Sequence, residues 1–364
     1  MVAINPRNGE ILAMVSEPGY DPTIYQDGLS REEWRSLISN PFNPLLDKTT
    51  GGEFPPGSVY KAVVAAAGLE EKIITPQTTF YCPGHFVLGD HVYHCHDRKG
   101  HGTVNLQTAL VKSCDVFFYH VGVELGVDRI AKYAQALGLG QKLGVRLNFE
   151  QPGLIPTSAW KQLIYKTPWG PGETPNIAIG QGYNKVTPIQ MANLFATIAN
   201  GGKVWRPYLI QKAVTPYGEV ISEEKPELLK EAKIISPQTF ELIKKALMAV
   251  VHDPGGTGRR AIQPDVTIAG KTGSVQVVSL KRTQNKEDVS MKWREHAMFA
   301  AFSPALDNSE IAVAVISEND KVGGGGMAAA PVAGAVIRAY WDLKKKRAAL
   351  AVGKADAKAG DKLQ

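Results

Sequence analysis

The apolar pattern of this chain changes period twice along its length, and that order limits its folds more than any other feature. Residues 2–5 and 10–16 alternate in polarity around Asn8-Gly9, a dipeptide that favours a tight hairpin turn. After a loop-rich stretch that ends in Gly-Gly-Glu-Phe-Pro-Pro-Gly at residues 51–57, the spacing becomes helical. It predicts helices over 58–69, over 106–137 with a break near 112–113, over 188–199 and over 237–251. The last two stop at Asn200-Gly201-Gly202 and Asp253-Pro254-Gly255-Gly256. Residues 75–103 read as irregular. Strand-like segments return at 267–278, 297–302 and 311–318, followed by the glycine run Gly323–Gly326 and a helix over about 327–345.

Strands at both ends around a helical middle make an α+β fold. The early hairpin can share one antiparallel sheet with the late strands, with helices covering it. The expected layout is an α/β lobe from 1–57 and 253–345, a helical lobe from 58–252, and a disordered tail over 346–364. Composition fits a large core: 44% of the 364 residues are hydrophobic and 21% charged. No apolar run reaches the eighteen residues a membrane span needs, and a strand-like segment begins directly after Met1. The chain therefore reads as a piece whose anchor lies upstream. The net charge of +6 is concentrated partly in Lys344, Lys345, Lys346 and Arg347. No basic face interleaved with aromatics accompanies it, which excludes a nucleic-acid partner.

Three short motifs carry chemistry. In Ser58-Val59-Tyr60-Lys61 a serine at a helix start lies one turn from a lysine, on the same face. A neutral amine there can take the serine's proton and make it a nucleophile. By itself this is equally an N-cap serine beside a solvated lysine. Ser113-Cys114-Asp115 sits at the break between helical stretches, where a hydroxyl and a carboxylate can face a cleft or simply cap a helix. Lys271-Thr272-Gly273-Ser274 lies in a strand. Alternation puts Lys271 and Gly273 on one face and Thr272 and Ser274 on the other. Gly273 allows close approach of a ligand backbone, and the strand suits an extended peptide ending in a carboxylate.

The three motifs in this order resemble the penicillin-recognising serine transferases. Together with NPRNGEILAMVSEPGYDP, FPPGSVYK, SCDVFFYHVGVELG, IGQGYNKVTPIQMA and AGKTGSVQ, they resemble the transpeptidase domain of class B penicillin-binding proteins of the elongation type, across residues 1–345. Asp115 stands where most of the superfamily has asparagine, a departure familiar in the elongation subgroup. The resemblance implies the transpeptidase fold of penicillin-binding proteins and serine β-lactamases. It also implies acyl transfer from D-Ala–D-Ala stem peptides, inhibition by β-lactams, and no cofactor for catalysis. Carried residue by residue, it makes Ser58 the nucleophile, Lys61 the general base and Ser113 a proton relay, with Asp115 sharing protons with Lys61. Lys271 becomes the electropositive anchor, and Thr272, Gly273 and Ser274 bind substrate. The resting state expected for Lys61 is a neutral amine, buried near Lys271. The resemblance further implies a membrane-anchored protein acting on the periplasmic face. Its implied partners are a SEDS-family glycosyltransferase and elongation scaffold proteins. The competing readings are a serine β-lactamase and a non-catalytic β-lactam sensor.

All three cysteines fall between residues 82 and 114. Cys82, Cys95, His101 and Cys114 are spaced C-x12-C-x5-H-x12-C, a complete set of four ligands for tetrahedral zinc. The alternatives are a Cys82–Cys95 disulfide with Cys114 buried, or ligation through His85, His91, His94 or His96. Some elongation-type relatives carry zinc in this segment, which the resemblance implies here as a structural site.

Overall fold

Five strands form the central sheet, in the order Ala269–Val275, His296–Ser303, Ile311–Ser317, Val2–Ile4 and Ile11–Met14, each antiparallel to its neighbours. The computed structural model describes residues 1–26, 28–275, 294–320 and 322–360. The two ends of the chain thus meet in one sheet, as their shared period predicts. The last three residues of the strand expected over 267–278 lie outside the described residues.

Alternation along the strands feeds two separate cores. Met298, Ala300, Phe302 and Ala314 face the larger one, with Val63 of helix Lys61–Glu70, Leu194 of helix Pro188–Ala199 and Leu247 of helix Pro237–His252. Phe299, Ala301, Val313 and Val315 point the other way, against Ala329, Ala330, Ala333 and Ile337 of the terminal helix. The larger core crosses the boundary expected between an α/β and a helical lobe, because helix Pro188–Ala199 is buried along its whole length against the sheet.

Two sequence expectations need correction. Residues 75–103 are not irregular: Phe80–Cys82 pairs with Gly102–Val104, and His85–Leu88 pairs with His91–His94. Strands of three or four residues are too short to show a period of two. The terminal helix runs Ala329–Gly360, past the point where a disordered tail was expected. Its Ala- and Lys-rich continuation has high helix propensity, which outweighs the polarity that suggested disorder. Residues 361–364 lie outside the described residues.

Candidate active site

The serine motif sits on a turn of unusual shape. Gly57–Tyr60 is a 3-10 turn that runs directly into helix Lys61–Glu70. In a 3-10 turn residues three apart eclipse, so Ser58 and Lys61 stay on one side. Gly57 has φ +54°, and a Cβ there would fall 2.8 Å from Val275 Cγ2. Its N–H donates to Gly180 O at 2.9 Å. Gly180 also needs to be glycine: a Cβ would lie 2.1 Å from Gly57 O. The Gly180-Gln181-Gly182 loop therefore shapes the nucleophile turn. The helix behind it buries Lys61–Gly68, and its alanines let neighbouring elements approach closely.

Ser113 owes its place to a helix end. Helix Leu106–Val111 closes with Cys114 N–H donating to Ala109 O at 2.8 Å and Ser113 N–H to Leu110 O at 3.1 Å. That is the Schellman pattern, and Ser113 takes its left-handed position, φ +54°, where glycine is usual. A non-glycine residue there costs about 1 kcal/mol or more, a local strain of the kind found at functional sites. Helix Asp115–Leu125 starts immediately afterwards with Asp115 in its first turn, where the helix dipole favours a carboxylate.

Lys61, without exposed surface, converges on this turn. Its Nζ donates to Asp115 Oδ1 at 2.7 Å, Ser113 O at 2.7 Å and Ser113 Oγ at 3.2 Å. Lys271, also without exposed surface, donates from the opposite wall to Ser113 Oγ at 2.9 Å and Thr272 O at 3.1 Å. Burial, and next the charge of Lys61, hold Lys271 well below the usual lysine range. Burial alone pushes Asp115 up, but Lys61 and His96 outweigh it and keep the carboxyl below its ordinary value. The downward shift expected at position 61 is found at Lys271, while Lys61 has the Asp115 carboxylate against it. No hydrogen bond joins Ser58 to Lys61 among the described residues.

Among the described residues the third motif occupies the edge strand of the sheet, the kind of position where an extended peptide can add as a further strand. Thr272 and Ser274 line the same cleft, of about 1030 Å³, as Ser58, Ser113 and Asp115. Gly273 packs closely against the nucleophile turn. A Cβ there would meet Val59 Cγ2 at 3.0 Å and Pro56 O at 3.2 Å. The glycine makes room for the nucleophile turn.

Cys82, Cys95, His101 and Cys114 come together, with one donor atom from each within 4.8 Å of all the others. All three cysteines are buried and free, so the Cys82–Cys95 disulfide is not formed. His101 Nδ1 lies 3.7 Å from Cys82 Sγ and 3.5 Å from Cys95 Sγ. Cys114 hydrogen-bonds to Cys95, which drives the Cys95 thiol down and pushes Cys114 up. The same segment grips the middle motif: His96 N–H donates to Asp115 Oδ2 at 2.8 Å, Asp115 N–H to Cys95 Sγ at 3.4 Å, and Tyr119 OH to His94 O at 3.1 Å.

Residues 1–338 match the family described as penicillin binding protein transpeptidase domain. The chain belongs to that family. It is 37% identical over 346 residues to the peptidoglycan D,D-transpeptidase MrdA of Haemophilus influenzae, covering 93% of this chain and 52% of that protein. The chain thus spans about half the length of the curated relatives it matches. Among solved structures it is similar to Pseudomonas aeruginosa PBP2 in complex with WCK 5153, with TM-score 0.80, 36% identity, and coverage of 93% of this chain and 72% of that one. It is also similar to Helicobacter pylori PBP2 in complex with MreC, with TM-score 0.77, 28% identity, and coverage of 94% and 59%.

Within this transpeptidase domain, Ser58, Ser113, Asp115, Thr272 and Ser274 line one cleft, and the buried Lys61 and Lys271 meet behind it at Ser113 Oγ. Sequence reasoning missed the part played by two groups, His96, weighed there only as an alternative metal ligand, and Thr257. His96 reaches Asp115 Oδ2 with Nδ1 at 3.5 Å, and hydrogen bonding to that carboxylate raises it to about 9. Thr257, whose Oγ1 accepts from Thr272 Oγ1 at 2.8 Å, belongs to a turn that reads only as a helix stop. Glu150 and Glu173 do not line the cleft. Glu150 accepts from the N–H of Leu143 and Gly144, and Glu173 pairs with Lys161.

Proposed function

We propose that this chain is the catalytic part of a peptidoglycan D,D-transpeptidase that cross-links stem peptides through an acyl-enzyme on Ser58. The observation that carries the reading is the hydrogen-bonded path from Lys61 through Ser113 Oγ to Lys271, set beside Ser58 in an open cleft. Lys61 passes its proton through Ser113 to Lys271, and the freed amine of Lys61 accepts the Ser58 proton. Ser58 Oγ then forms a bond to the penultimate D-Ala carbonyl carbon. The resulting oxyanion is received by the N–H groups of Ser58 and Ser274, each worth about 3–4 kcal/mol. On collapse the C–N bond breaks, and the terminal D-Ala leaves with a proton relayed by Ser113. An acceptor amine from a neighbouring stem peptide attacks the ester next, loses its proton by the same route, and releases Ser58. Thr272 and Ser274 receive the substrate carboxylate, with Lys271 supplying positive potential.

A β-lactam enters the same path and stays as an ester on Ser58. A β-lactamase would need a carboxylate that activates water. Among the described residues the carboxylates that line the cleft are Asp115, committed to Lys61 and His96, and Glu295, while Glu150 and Glu173 lie outside it. We assign a structural zinc to Cys82, Cys95, His101 and Cys114. Zn–S of about 2.3 Å and Zn–N of about 2.0 Å in a tetrahedron put sulfur and nitrogen about 3.5 Å apart, against 3.5 and 3.7 Å here. When bound, the metal would pin the middle motif to the 82–101 segment and take no part in the chemistry.

By analogy with the MrdA relatives, the full-length protein is held in the cytoplasmic membrane with this domain on the periplasmic face. It works in elongation and rod-shape maintenance with a SEDS-family glycosyltransferase. The solved complex of a PBP2 with MreC supports an elongation scaffold as a further partner. No helix among the described residues is long and apolar enough to cross a membrane. The deciding experiment is intact mass under denaturing conditions after exposure to benzylpenicillin, with Ser58→Ala alongside. A stable adduct on the parent, absent from the variant, is expected. Hydrolysed drug without an adduct would instead favour a β-lactamase.

A further inference from the structure

Thr272 and Thr257 present two hydroxyls 2.8 Å apart, with Thr272 donating, while Lys271 Nζ stands 3.5 Å from Thr272 Oγ1. A hydroxyl carries one proton. As long as Thr272 gives its proton to Thr257, it can offer an incoming carboxylate only lone pairs, which repel it. To receive the carboxylate, Thr272 must turn its O–H toward the ligand. Its oxygen then needs a new donor on the side it has left, and Thr257 stands there. We propose that Thr257 is a positioning residue of the carboxylate subsite, accepting from Thr272 in the empty cleft and donating to it in the loaded one. Only a hydroxyl at position 257 can do both.

The surrounding loop fixes that hydroxyl from three directions. Thr257 N–H donates to Val111 O at 3.4 Å, two residues before Ser113. Gly258 N–H donates to Val250 O at 3.0 Å and ties the turn to the preceding helix. A Cβ at Gly326 would fall 2.5 Å from Thr257 O, so the glycine run that precedes the terminal helix rests on this residue. Thr257 therefore stands where the second motif, the third motif and the glycine run meet, and it lines the cleft.

This role rests on the acyl-transfer reading above, in which Thr272 takes the ligand carboxylate. It is tested by the kinetics of Ser58 acylation with benzylpenicillin and with its methyl ester, which lacks the carboxylate charge. The parent chain is compared with Thr257→Val and Thr257→Ser. The valine variant is expected to lose about tenfold in acylation efficiency with benzylpenicillin, the worth of one hydrogen bond to a charged group. That loss falls on the binding step and is absent with the ester, and the serine variant stays within about twofold of the parent. Equal rates for Thr257→Val and the parent overturn the role and leave acyl transfer standing. A loss shared equally by acid and ester, or a serine variant as poor as valine, also overturns it. A parent that forms no adduct with either compound overturns both readings.

Discussion

Lys61 comes from the helical wall of the cleft and Lys271 from the edge strand opposite. Both are without exposed surface and both reach Ser113 Oγ. Among the described residues only Lys61 has a carboxylate against it, Asp115 at 2.7 Å. Asp115 is in turn held by the N–H of His96. Lys271 has only hydroxyl and carbonyl acceptors. The helical wall thus sets a carboxylate against its lysine, and the sheet wall keeps a lysine that burial and the charge of Lys61 hold below the ordinary lysine range. One lysine is held by a carboxylate and the other by hydroxyl and carbonyl oxygens.

The largest expected effect separates these two roles. Lys61→Met strands a buried carboxylate, and removing one partner of a buried pair costs about 3–5 kcal/mol. Lys271→Met strands nothing and is expected to change stability by less than about 1 kcal/mol, although both variants lose acylation. Urea denaturation of the two would break the comparison if the losses were equal.

Next in size is metal removal, which acts on the anchored side alone. Chelation is expected to lower Tm by more than about 5 °C. Acylation should fall with it, because Cys114 lies between Ser113 and Asp115. A chelated protein with unchanged Tm and acylation rate would remove the proposed link between the cluster and the motif.

The smallest effect, and the sharpest on the sheet side, is in pH. Lys271 has a folded pKa below its unfolded value, so between the two the unfolded chain binds the extra proton. Stability is then present above the unfolded value and is lost as pH falls through the folded one. The acylation rate of the parent should rise with pH along a limb below the ordinary lysine range, as Lys271 becomes able to accept a proton. A profile with no titration below that range would remove the proton path through Ser113.

The elements that sequence reading located best are the long ones. The helix expected over 188–199 is Pro188–Ala199, and the one expected over 237–251 is Pro237–His252, each with Pro at its start and a capping hydroxyl before it. The late strands were legible because both faces of each are buried and apolar. The strands between residues 80 and 104 were not, since three- and four-residue ladders have no period to read. Ser113 looked like a helix start and proved to be the left-handed residue after a helix end. Two helices separated by three residues leave both readings open until the backbone hydrogen bonds are known.

The sequence by itself determined the chemical inventory: one serine–lysine pair on a helix start, a second lysine in a strand with hydroxyls beside it, and three cysteines grouped with histidines between residues 82 and 114. It also determined the order of sheet, helices and sheet, because period is a local property of the chain. Only the tertiary structure decided which lysine carries a counter-ion, what fills the space beside Gly273, and which hydroxyl faces Thr272. Those outcomes depend on distances between residues 52, 54 and 158 positions apart. Charge state and hydrogen-bond direction are set by the few ångströms around a group, and a linear sequence does not contain them.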